Sequence, residues 1–112
     1  MSTRAGARLW VVQRATAAVL AFCVLVHLAT MVFAVRGGLT AHEILERTHG
    51  NYAWCAFYSL FVFAAGIHGA IGLRTVASEW LGFRGKAADA AMAAIALAIV
   101  FLGLRAVAAV VL

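Results

Sequence analysis

Proline is absent from this chain of 112 residues, and acidic residues are scarce, with four Asp and Glu against nine Lys and Arg. Cysteine occurs only at Cys23 and Cys55, in no CxxC or CxxCH pattern. That spacing argues against a disulfide, an iron–sulfur cluster and covalent c-type haem attachment. Formal charge is missing altogether from Ala15–Val35 and from Tyr52–Leu73, and Ala90–Leu112 carries only Arg105. No segment is left for a dinucleotide fold or a separate catalytic module.

Hydrophobic residues make up 66% of the chain, and the mean hydropathy is +1.02. This is not the composition of a soluble domain. A membrane span needs about 20 apolar residues, and three segments meet that requirement. We expect an all-α integral membrane protein with spans near 9–35, 52–74 and 88–112, because an uninterrupted apolar run in lipid satisfies its backbone as a helix. The first run is longer than a signal-peptide core and two more spans follow, so it reads as a retained span.

The net charge of +5 and the pI near 10.3 would suggest nucleic acid in a soluble protein. Here the positive residues sort by side instead, and membrane lipid, not nucleic acid, is the expected surroundings. Arg4, Arg8 and Arg14 precede or open the first span, and Arg74, Arg84 and Lys86 follow the second. Arg36 and Arg47 in the intervening loop are offset by Glu43 and Glu46. The positive-inside rule then puts the N-terminus in the cytoplasm and the C-terminus outside. Trp10 and Trp80 fall at the inner boundary, where interfacial Trp is expected. No Arg- and Ser-rich transit peptide precedes the first span, which favours a bacterial cytoplasmic membrane.

Residues 1–8 read as a short mobile basic tail. Arg36-Gly37-Gly38 ends the first span. Thr40 followed by Glu43 fits a capping box, which predicts a short outer-loop helix near 41–48. His42 and His49 in that loop read as solvated. Residues 74–88 read as the inner loop. Gly66, Gly69 and Gly72 allow close approach of either another backbone or a flat ligand. Asp89 suits the start of the third helix. Arg105, about 24 Å further along, snorkels to the outer interface or turns inward to an anion. Cys23, four residues before His27, either lines the same face or is a small packing residue.

The two histidines inside spans carry the functional argument. Hydrocarbon solvates imidazole poorly, so His27 and His68 each mark a site or hydrogen-bond a neighbouring helix. A neutral histidine on a membrane helix is a natural axial ligand of haem iron. His27 lies 17 residues beyond Trp10, and His68 lies 12 before Trp80, a depth difference of about 7–8 Å. Counted from Arg36 and Asn51 the difference is about 12 Å. Two imidazoles on one iron need nearly equal depth. Each histidine therefore needs a partner histidine from a second copy of this chain or a related subunit.

The segments Trp10-Val11-Val12-Gln13-Arg14-Ala15-Thr16, leading to His27, and His68-Gly69-Ala70-Ile71-Gly72-Leu73-Arg74, continuing to Glu79-Trp80, resemble the membrane cytochrome b subunits of succinate dehydrogenases and fumarate reductases. The likeness covers roughly residues 9–86 and is greatest to the C-terminal three helices of the five-helix, two-haem type. The resemblance implies a membrane anchor with haem b and a quinone as substrate, assembled with a flavoprotein and an iron–sulfur subunit. It implies His68 as ligand of the haem nearer the iron–sulfur subunit and His27 as ligand of a distal haem. It also implies Arg74 as a propionate partner, and Arg14 and Trp80 as lining a quinone site. A five-helix relative supplies four histidines, whereas this chain supplies two in its spans. An unrelated membrane cytochrome b and a haem-free packing or assembly protein are the alternatives.

Overall fold

The structure is a computed structural model and describes residues 3–112. It contains four helices: α1 Thr3–Gly37, α2 Ala41–Thr48, α3 Tyr52–Leu81 and α4 Lys86–Val111. Three of them, α1, α3 and α4, are long and apolar enough to cross a membrane. The described residues form no strand. The long dimension, 49 Å, exceeds a hydrocarbon core of about 30 Å.

Two boundaries differ from the sequence expectation. The expected mobile tail is helical from Thr3 onward, and its first two residues lie outside the described residues. The expected inner loop is mostly helix, since α3 runs on to Leu81. Arg74 and Glu79 lie within α3, so the first charges after the apolar run do not end the helix. The stop comes at Gly82, whose φ of 66° is left-handed and suits a residue without Cβ. The amides of Gly82 and Phe83 both reach the Ala77 carbonyl. Only residues 82–85 then connect α3 to α4.

The outer-loop helix forms as expected. Thr40 Oγ1 accepts from the Glu43 amide at 3.2 Å, and the Glu43 carboxylate accepts from the Thr40 amide at 2.9 Å. Both arms of the capping box are therefore present. Thr48 Oγ1 donates to the Val110 carbonyl at 2.7 Å, and the Gly50 amide donates to the Val111 carbonyl at 2.7 Å. These bonds satisfy two carbonyls that the end of α4 would otherwise leave open. They also tie the α2 end of the molecule to the C-terminus.

α3 packs against both α1 and α4. The α3–α4 seam is built on missing side chains. A Cβ at Gly66 would lie 2.7 Å from Val100 Cγ2, and one at Gly103 would lie 2.5 Å from Val62 Cγ1. Each glycine receives a β-branched side chain from the facing helix, as small residues do at membrane helix contacts. Gly69 faces Ile99, while Gly72 faces Gln13 of α1. The three glycines of α3 therefore serve helix packing within the chain.

Candidate functional site

The inner face of α1 repeats at alternating spacings of three and four residues: Gln13, Thr16, Leu20, Cys23, His27 and Thr30. Every one of these is buried or half-buried, and Cys23 is fully buried. Such spacing keeps one stripe toward a partner helix. Four of the six are polar. An all-apolar stripe would hold α1 to α3 by packing alone, whereas this one also places donors and acceptors in the seam.

His68 sits at the lower of two levels in that seam. Its Nδ1 lies 3.2 Å from Thr16 Oγ1, and its backbone carbonyl accepts from Gln13 Nε2 at 3.3 Å. Gln13 reaches the carbonyl past Gly72, where a Cβ would stand 3.4 Å from Nε2. Among the described residues, buried Gln13 Oε1 has no hydrogen-bond partner. Gln13 also lines a cavity of about 510 Å³ with Leu9, Trp10, Gly72 and Arg74.

His27 sits at the other level. Its ring meets Tyr58 edge-on at 6.2 Å and Phe61 at 5.7 Å. It opens on a cavity of about 490 Å³ lined by α3, α4 and α2 side chains, including Val62, Ile99, Gly103 and Thr48. Among the described residues its ring nitrogens have no hydrogen-bond partner. His27 thus lies beside Tyr58 and Phe61, and His68 beside Thr16. Along either helix these levels are about 10–16 Å apart, so the two imidazoles cannot share an iron within this chain.

The remaining candidates lie elsewhere. Arg74 joins Asp89 of α4 through Nη2 at 2.6 Å and Nε at 2.7 Å. Arg14 is exposed, with its guanidinium 5.2 Å from the Trp10 ring. Trp80 is 81% exposed. Neither Arg14 nor Trp80 lines the two cavities just described. Arg105 is exposed and lies 5.9 Å from the Phe101 ring, so it does not turn into the bundle. In the outer loop, His42 pairs with Glu46 at 3.3 Å in solvent. Thr40 holds the Glu43 carboxyl below its ordinary value by hydrogen bonds from its side chain and its amide. No group of three or more His, Cys, Asp or Glu that could hold a metal ion occurs among the described residues. An axial haem ligand, by contrast, is a single imidazole.

The described bundle is thus an integral membrane domain with an imidazole held at each of two levels. Residues 1–106 match the family of the succinate dehydrogenase/fumarate reductase transmembrane subunit, and the chain belongs to that family. No curated protein and no solved structure matches it.

Proposed function

We propose that this chain is the haem b-carrying membrane anchor of a succinate:quinone oxidoreductase or fumarate reductase in a bacterial cytoplasmic membrane. It passes electrons between an iron–sulfur subunit and membrane quinone, and a flavoprotein completes the assembly. Family membership supports the anchor role. The observation that carries the haem reading is His68: an intramembrane imidazole whose Nδ1 is engaged by Thr16 and whose Nε2 is left as the other ring nitrogen. That donor fits an axial position.

Haem b, when bound, supplies a one-electron carrier. The chain's own residues hold and orient it. His68 would hold the haem through an imidazole nitrogen, together with a histidine of a second copy of the chain or of a related anchor subunit. His27 does the same at the distal level. Arg74 offers a propionate the guanidinium edge that Asp89 leaves free. Arg14 and Trp80 are exposed at the end that carries the N-terminus and the α3–α4 turn, where the iron–sulfur subunit docks on the cytoplasmic side and the quinone binds. At that same end the unpartnered Gln13 Oε1 is an acceptor for a quinol hydroxyl. The C-terminus faces outward on this reading, which the positive-inside distribution of Arg and Lys supports.

Purification of the native complex in detergent tests this reading, with an optical spectrum, a pyridine haemochrome assay and identification of the subunits. Reduced b-type bands with a copurifying flavoprotein and iron–sulfur protein are expected. A properly assembled complex without haem would reduce the chain to a haem-free anchor.

A further inference from the structure

The contact between Thr16 and His68 contains more than proximity. Thr16 Oγ1 has one proton and three neighbours: the Val12 carbonyl at 2.8 Å, the Gln13 carbonyl at 3.1 Å and His68 Nδ1 at 3.2 Å. A carbonyl oxygen can only accept, whereas Nδ1 can donate or accept. The intrahelical and interhelical contacts are therefore satisfied together only when the hydroxyl proton goes to the shorter intrahelical contact, the usual back-bond of a mid-helix threonine. The oxygen's free lone pair then faces Nδ1. Only an Nδ1–H completes that arrangement. A neutral imidazole protonated at Nδ1 has an unprotonated Nε2. The backbone of α1 thereby selects the tautomer of a side chain on α3.

The same turn of α1 holds the rest of the residue. Gln13 lies three positions before Thr16, and so on the same face. Its amide donates to the His68 carbonyl. One helical turn therefore fixes His68 at both backbone and ring, and Gly72 leaves room for it.

We propose that Thr16 is a positioning residue for the haem ligand His68, acting through the Nδ1–H···Oγ1 bond to keep Nε2 free as a lone-pair donor and to set the plane of the ring. The inference rests on the haem-anchor reading above. Removing the acceptor leaves the ring free to turn and to protonate at Nε2, and it weakens the imidazole as a donor to iron. Loss of such a supporting contact typically costs about 10–100-fold in affinity.

The test uses the intact native complex carrying Thr16→Val, Thr16→Ser or His68→Ala. Three quantities are read: the rate of haem loss to excess apomyoglobin, the haem midpoint potential, and the low-spin ferric electron paramagnetic resonance spectrum. Retention of the flavoprotein on purification reports assembly. Thr16→Val preserves shape and removes the acceptor. It is expected to speed haem loss by about 10–100-fold, to raise the potential and to broaden the spectrum, with Thr16→Ser restoring all three. Thr16→Val indistinguishable from the parent, or Thr16→Ser as impaired as Thr16→Val, overturns the positioning role. Full haem retention in an assembled His68→Ala complex overturns instead the ligand role of His68, on which the inference stands.

Discussion

Arg74 near the end of α3 and Asp89 in the first turn of α4 are joined twice through one carboxylate oxygen. The pair spans a connection of only four residues, 82–85. Arg74's side chain is largely covered while Asp89's is half-open. Asp89 also stands at a helix N-terminus, where its charge is favourable. Asp89→Ala removes both contributions, and a loss of about 0.5–1 kcal/mol is expected. A denaturation series of the purified complex in mild detergent reads this, and high salt should narrow the gap between the parent and Asp89→Ala.

Gly103 and Val62 make a steeper prediction. A methyl group at position 103 would meet both Val62 branches, at 2.5 and 2.8 Å. A valine on a helix has almost no alternative rotamer to retreat into. Gly103→Ala is therefore expected to cost about 1–3 kcal/mol through overpacking. Val62→Ala, placed on the same chain, should restore most of that loss. A double-mutant cycle on thermal stability would show a large favourable coupling; simple additivity would mean that α3 and α4 do not meet at this point.

Spans, capping box and the pair of intramembrane histidines are legible in the sequence because each rests on local pattern: run length, Thr-x-x-Glu, or a polar atom in an apolar run. What escapes is what depends on register between helices. Thr16 reads as part of a family-like segment, with no role of its own. Its signal is the three-and-four spacing from Gln13 through Thr30, which puts four polar residues on one stripe. The Arg74–Asp89 pair is hidden because residues 74–88 look like a loop, and a loop gives no reason to bring two residues 15 apart together. Once α3 continues to Leu81, the tight turn makes that meeting necessary. The Gly66 and Gly69 face looks open to a flat ligand until Val100 and Ile99 of α4 are seen to occupy it.

Glu43 gives the outer loop a pH dependence of definite sign. Hydrogen bonds from Thr40 hold its folded-state pKa below the ordinary value. A depressed carboxylate stabilises the folded form above its unfolded pKa, and that contribution fades as the pH falls through the folded value. Amide exchange in α2, corrected for the intrinsic rate, should therefore be constant through the neutral range and accelerate below the ordinary carboxylate range. Thr40→Ala removes the side-chain hydrogen bond to Glu43 and should weaken that acid response. Unchanged protection of residues 43–45 at low pH would mean that the capping box does not hold α2.

His27 and His68 make opposite demands on their surroundings. A metal-ligating histidine almost always donates its second ring nitrogen to an acceptor. His68 lies against Thr16, but among the described residues His27 has only the edges of Tyr58 and Phe61 and no acceptor. If His27 binds a distal haem, its acceptor must come from the partner subunit. Because the His27 ring gives up no hydrogen bond to the described residues, His27→Leu should change stability by less than about 1.5 kcal/mol. The complex therefore stays assembled, and its haem content can be compared directly with the parent. If His27 and His68 each ligate a haem, as proposed, redox titration of His27→Leu loses one b-type component and keeps the other. If both haem content and titration match the parent, His27 is a packing residue beside Tyr58 and Phe61, and the proposed haem site rests on His68 alone.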